Sequence, residues 1–151
     1  MSDELRARAL RLLARREHTR AELARKLAPY APSAEALQGL LRELVQKKQL
    51  SDERYAEARA HQLSRKYAAA RIRQDLKAHG VADAVAERVS SQGDLEKAKA
   101  ILARKYRVPA TTREENAKRA RFLQSRGFSY DTIRRALNSG TEPELVDGPA
   151  D

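Results

Sequence analysis

Apolar residues recur three and four positions apart along most of the chain, the spacing that gathers them on one face of an α-helix. Leu5, Ala9, Leu12 and Leu13 set the first such stretch, with Asp3 and Glu4 in the acid-favouring first turn, and predict a helix over about residues 3–16. Thr19 and Glu22 have the spacing of a capping box, in which each side chain satisfies a free backbone N–H of the other residue, and open a second helix through Leu23 and Leu27. Pro29 and Pro32 break it, and Ser33 caps a third helix that carries Leu37, Leu40, Leu41, Leu44 and Val45 to about Lys48. Ser51-Asp52-Glu53 starts a fourth with Tyr55, Ala56, Ala60 and Leu63; a fifth holds Ile72 and Leu76 and stops at Gly80. Val81, Val85 and Val89 mark a sixth. Leu95, Ala98, Leu102 and Tyr106 mark a seventh, ended by Val108-Pro109. Thr112 and Glu115 form a second capping box before an eighth helix with Ala117, Ala120 and Leu123, and Ser129 caps a ninth with Ile133 and Leu137. Helix formers dominate, and most of the 6 Gly and 5 Pro fall at segment edges, so the expected fold is all-α.

A turn between helices recurs. With Leu23, Ile72 and Ile133 on a common position, Leu27, Leu76 and Leu137 follow four residues later, while Arg16, Arg65 and Arg126 stand seven residues earlier. His18, Tyr67 and Phe128 then share a place in the turn. The units are 49 and 61 residues apart, so either the seventh helix is an insertion or the unit boundaries differ from this alignment. Short helical units that cannot each bury an apolar face stack in a row. The expected architecture is therefore a tandem array of short three-helix units, elongated and curved, with units over 1–50, 51–92 and 93–139. Residues 140–151, acidic and holding Pro and Gly, are expected to be a disordered tail.

Charge narrows the function. The net charge is +10, yet Ser139 to Asp151 holds Glu142, Glu144, Asp147 and Asp151 with no Lys or Arg, so the rest carries +14. Such self-repulsion is tolerated for an anionic partner: nucleic acid, an anionic membrane or an acidic protein face. The absence of Cys excludes disulfides, thiol nucleophiles and Cys-ligated zinc. No apolar run approaches the ~18 residues that span a bilayer, and the first twenty residues lack the apolar centre of a signal peptide, so a cytoplasmic, non-membrane protein is expected. His18, His61 and His79 lie in separate segments, without the i, i+4 pairing of a metal site, and are expected as turn or surface residues. No phosphate loop, paired nucleophile and base, or cofactor fingerprint is present, which points away from an enzyme and from any catalytic, cofactor or metal residue.

Basic residues are the better candidates for contact. Arg20, Arg25 and Lys26, then Arg65, Lys66, Arg71, Arg73 and Lys77, then Arg126, Arg134 and Arg135 occupy comparable places in the three units, so stacking is expected to align them as a stripe. Arginine forks onto carboxylates as well as phosphates, so the stripe alone does not choose between them.

Four segments, in order, resemble the RecX family. Ala9 to Leu23, with Leu12, Leu13, Arg16, Thr19 and Leu23, is similar to the family's opening pattern, and Leu50-Ser51-Asp52-Glu53-Arg54-Tyr55-Ala56 to its L-x-D-x-R-aromatic-A signature. Arg71 to Val81, with Ile72, Leu76, Gly80 and Val81, and Phe122 to Phe128, with Ile133 and Leu137, resemble its later segments. The resemblance implies three tandem three-helix units and a curved basic body lying in the groove of the RecA filament on single-stranded DNA. There it would impede filament growth, ATP hydrolysis, strand exchange and SOS repressor cleavage. RecA is the implied partner, DNA itself a second, and a monomer is expected. Within the signature, Asp52 and Glu53 suit a first helical turn, where negative charge is favoured, and Tyr55 is expected to pack between units. The rival is a helix-turn-helix repressor reading DNA with the helix after Ser33. A helical scaffold that binds neither DNA nor filament is the remaining class.

Overall fold

The computed structural model describes residues 2–90 and 93–139, all of whose regular structure is helical. The helices are α1 (Ser2–Arg15), α2 (Arg20–Leu27), α3 (Ala34–Gln46), α4 (Asp52–Leu63), α5 (Ala69–Ala78), α6 (Asp83–Ser90), α7 (Asp94–Lys105), α8 (Arg113–Ser125) and α9 (Tyr130–Ser139), with a short 3-10 turn at Ala28–Tyr30. The acidic segment expected to be disordered, residues 140–151, lies outside the described residues.

The chain divides into two compact units, Met1–His61 with Gln74–Val89 and Gln62–Arg73 with Ser90–Asp151. In unit 1, α1, α2 and α3 pack on one another around Leu5, Leu23, Leu27, Leu41, Leu44 and Leu50, the last four of them at most 1% exposed along with Leu23. In unit 2, α9 packs on α7 and α8 around Ala98, Ile101, Leu123, Phe128 and Ile133. The predicted caps form: the hydroxyls of Thr19, Ser33, Ser51, Thr112 and Ser129 each accept a hydrogen bond from the N–H three residues on.

Two expectations about local chemistry are corrected. Neither capping box closes reciprocally. The Glu22 carboxylate turns to Arg16, and that of Glu115 accepts from the Thr111 N–H at 2.7 Å, one residue short of the cap. Val81 precedes α6 instead of starting it. Its N–H bonds the Leu76 carbonyl at 3.0 Å across Gly80, whose φ is +95°, and its side chain is buried as the apolar plug of that helix end.

The same ending recurs 47 residues later, where the Phe128 N–H bonds the Leu123 carbonyl across Gly127 at φ +94° and the ring is buried. Helix starts repeat as well. Asp52, in the first turn of α4, accepts from the Arg20 N–H at the start of α2 at 2.7 Å; Asp94, in the first turn of α7, accepts from the Ala69 N–H at the start of α5 at 3.0 Å. These paired roles match α4 with α7 and α5 with α8, so α7 is not an insertion. The alignment of Ile133 with Ile72 was one helix out of register, because a shared Leu/Ile and Arg spacing outweighed the glycine that ends the middle helix.

Candidate polyanion-binding surface

Helical spacing on α8 puts Arg119, Phe122 and Arg126 on one face, three and then four residues apart. Neighbouring segments of unit 2 complete the row. The Arg126 guanidinium lies 4.8 Å from the Phe122 ring and 5.4 Å from that of Tyr67, in the turn before α5. Arg71, one turn on from Tyr67, lies 4.9 Å from the same ring and donates to the Ser125 carbonyl at 2.6 Å. At the other end, Lys105 sits 4.8 Å from Phe122, and Arg119 sits 4.3 Å from Tyr106. Cations and rings thus alternate: Arg71, Tyr67, Arg126, Phe122, Lys105, Tyr106, Arg119. A ring holds a cation by its quadrupole, for about 0.5–1 kcal/mol at a surface, and cancels none of its charge. None of these four cations forms an ion pair among the described residues.

Gly127 makes the Arg71 position possible. A Cβ at Gly127 would overlap Arg71 Cγ, so the arginine stem crosses the α8 end where only glycine leaves room. The flanking turn adds exposed Arg65 and Lys66, and the Arg65 carbonyl accepts from Arg104. Arg73 is half-buried in α5 and is held by the protein's own interactions. Arg134 and Arg135 are exposed but share Asp131, at 2.8 and 3.2 Å.

Unit 1 uses its cations differently. Glu22 is 5% exposed; Arg16 bonds it at 2.5 Å, and Lys26 stands 3.8 Å away. Burial opposes ionisation of this carboxyl, yet the hydrogen bond and charge of Arg16, with His18 and Lys26 adding, outweigh it and hold the pKa at about 2. His18, expected as a turn or surface residue, lies in the turn but is 2% exposed. Its Nε2 accepts from Lys26 at 3.1 Å, so its Nδ1 carries the proton and donates to the Arg16 carbonyl. Burial lowers its pKa. Arg20 donates to Gln38 at 3.1 Å, and Lys77 lies 3.7 Å from Asp83. Among the described residues, Arg25 alone of the four candidates here is exposed without a partner. The signature residues are also engaged: Asp52 completes α2, Arg54 bonds Glu17 at 2.9 Å, and buried Tyr55 packs on His79 with ring centres 5.9 Å apart.

Of the predicted contact residues, the structure gathers Arg71 and Arg126 around Tyr67, sets Arg65 and Lys66 in the adjoining turn, and leaves the others on their own helices. Sequence reasoning missed Lys105, Arg119, Tyr106 and Phe122 as members of the row. The spacing of Arg119, Phe122 and Arg126 was available in the sequence. The approach of Lys105 and Tyr106 from α7 was not. No helix among the described residues is long and apolar enough to cross a membrane.

Comparison with known proteins accords with this arrangement. Family models described as the first, second and third three-helix domains of RecX match residues 6–30, 51–89 and 92–137. The chain is 43% identical over 138 residues to the regulatory protein RecX of Herbaspirillum seropedicae, covering 89% of this chain and 90% of that one. It is 40% identical over 146 residues to that of Neisseria meningitidis serogroup A, covering 95% of each. The crystal structure of RecX from Lactobacillus salivarius superposes with a TM-score of 0.76 at 22% identity, over 91% of this chain and 95% of that one, a likeness of fold. Matched three times along its length and aligned nearly end to end with these relatives, the chain belongs to the RecX family of regulatory proteins.

Proposed function

We propose that this protein is a negative regulator of the RecA recombinase that works by docking, without chemistry of its own. It lies in the groove of the RecA filament on single-stranded DNA and so impedes filament growth, ATP hydrolysis, strand exchange and SOS repressor cleavage. Family membership supports the partner, and one observation supports the contact: the row of ring-held cations in unit 2 keeps its charge available. Arginines so held fork onto phosphates or onto carboxylates, the two groups a nucleoprotein filament displays. Bare DNA offers only the first, and is bound more weakly.

The outward face of α3 carries Glu35 and Gln38 beside Arg42, one acid against one base, and lacks the positive charge that holds a reading helix in a groove. This favours filament docking over operator recognition. The test adds the purified protein to RecA, single-stranded DNA and ATP and follows hydrolysis. Inhibition at ratios below equimolar is expected, weakening with salt because the contact is ionic. Charge reversal at Arg71 and Arg73 should weaken it too. No inhibition at equimolar protein overturns the proposal.

A further inference from the structure

Lys99, Leu102 and Tyr106 follow one another at helical spacing and share a face at the C-terminal end of α7. The helix stops at Lys105, Tyr106 turns extended at φ −119° and ψ 115°, and Pro109 biases Val108 toward extended backbone after it. Arg119 of α8 donates to the Val108 carbonyl at 2.9 Å and ties this segment down. Between the segment, α7, α8 and α9, all within unit 2, opens a groove of about 450 Å³, inside the range of roughly 300–1,000 Å³ typical of ligand sites.

The groove has an aliphatic floor under a cationic rim. Leu102 and Leu137 are half-buried in it, and Val108 is 67% exposed, so apolar surface is left to water. Lys99, Arg107 and Arg119 stand on its walls beside the Asn116 amide, and no acidic residue lines it. Arg107 forms no ion pair among the described residues, and Lys99 reaches only Glu96, an exposed acid 3.7 Å away. The occupant must therefore bring negative charge and apolar bulk together. Nucleic acid has the charge, but single strands gain their hold by stacking bases on aromatic faces. Tyr106, the ring that lines the groove, is already packed against Arg119 at 4.3 Å, Lys105 at 5.6 Å and the Phe122 ring at 6.2 Å. An aliphatic floor takes aliphatic side chains, and carboxylates suit the forked guanidinium groups above it.

We infer that this groove is a docking site for a short acidic segment of a second protein. Leucine-like side chains of that segment fill the floor over Leu102, Val108 and Leu137, and flanking carboxylates meet Lys99, Arg107 and Arg119. Arg119 belongs both to the groove and to the row of ring-held cations, so a nucleoprotein partner is gripped at two adjoining places, its protein by the groove and its phosphates by the row. The inference rests on the function proposed above only for which protein supplies the segment; the chemistry of the site stands on the groove alone.

The probe is the blocked peptide Asp-Glu-Leu-Leu-Glu-Asp, titrated into the full chain and followed by methyl NMR. Saturable shifts are expected at Leu102, Val108 and Leu137. The same peptide with serines in place of its leucines keeps the charge and should bind about tenfold more weakly, because the floor then gains nothing. Lys99→Gln with Arg107→Gln should weaken the leucine peptide about tenfold as well. Val108→Ser, at an exposed position that folding does not depend on, should weaken it about threefold and leave affinity for an oligothymidylate unchanged. Absence of shifts at these methyls, or equal binding of the serine peptide, overturns the inference. So does an oligothymidylate that shifts the same methyls and loses as much affinity on Val108→Ser as the peptide does, since the groove is then a nucleic-acid site. RecA-dependent ATP hydrolysis separates the two readings. Peptide binding without inhibition supports the groove and overturns the proposed function, whereas inhibition without peptide binding overturns the groove and leaves that function standing.

Discussion

Unit 1 and unit 2 hold nearly equal numbers of basic residues and spend them in opposite ways. Unit 1 has 15 Lys and Arg against 12 Asp and Glu, a net of +3; unit 2, counted to Ser139, has 16 against 5, a net of +11. In unit 1 four arginines are structural. Arg6 bonds Glu43, Arg16 bonds Glu22, Arg54 bonds Glu17 and Arg59 bonds Asp75, so each of these four charges meets its opposite within the fold. In unit 2, Arg71, Arg126, Lys105 and Arg119 lie on rings, and their charge stays unspent. Exceptions run both ways: Arg8 covers Tyr30 at 3.6 Å in unit 1, and Arg134 and Arg135 share Asp131 in unit 2. The contrast teaches that counting cations does not locate a polyanion surface. What the cations rest on does.

The largest test of this contrast lies in unit 1. Glu22→Gln leaves Arg16 and Lys26 without their counterion around a buried site and should cost roughly 2–3 kcal/mol of stability by chemical denaturation. Acid should reproduce the effect. Glu22 titrates near 4.5 when unfolded and at about 2 when folded, so its stabilisation is complete above pH 4.5 and is lost as pH falls toward 2. Glu43 and Asp75, both lowered by arginine partners, act in the same direction. Hydrogen exchange should then show unit 1 opening in acid before unit 2, and simultaneous opening would break the comparison.

Next in size, Arg71→Gln with Arg126→Gln should weaken inhibition of RecA-dependent ATP hydrolysis about tenfold, whereas Arg54→Gln with Lys77→Gln, which removes two neutralised cations, should change it less than threefold. Equal losses would mean that the ring-held cations are not special. Gly127→Ala gives the smallest effect. It forces a Cβ onto Arg71 in a left-handed backbone, for a stability cost of about 1 kcal/mol and a partial loss of inhibition by displacing Arg71. Full inhibition in a folded Gly127→Ala protein would show that the position of Arg71 is unimportant.

Helices and their caps were legible in the sequence because both are local. Thr19, Ser33, Ser51, Thr112 and Ser129 act within three residues of themselves, and a 3.6-residue period needs no tertiary partner. The repeat register was misread because Leu, Ile and Arg are abundant enough to coincide. The informative positions were Gly80 and Gly127, whose φ cannot be seen from composition. The contact surface was legible in part. Arg71 and Arg126 stood out as basic residues, but the ring they share, Tyr67, lies beside Arg71 in the chain and far from Arg126, and the pairing that neutralises Lys26 and Lys77 depends on where Glu22 and Asp83 fall in space. Burial of His18 was likewise hidden, since nothing local marks a histidine whose two nitrogens are both satisfied.

The aspartates that begin α4 and α7 each finish a helix that lies earlier in the chain, 32 residues back for Asp52 and 25 for Asp94. During synthesis, α2 therefore leaves the ribosome with a bare N–H at its start that this carboxylate fills only after a few more seconds of translation. A fragment cut just before Asp52 or Asp94 lacks the last stitch of the piece before it, so these tandem modules, however alike, are not interchangeable beads.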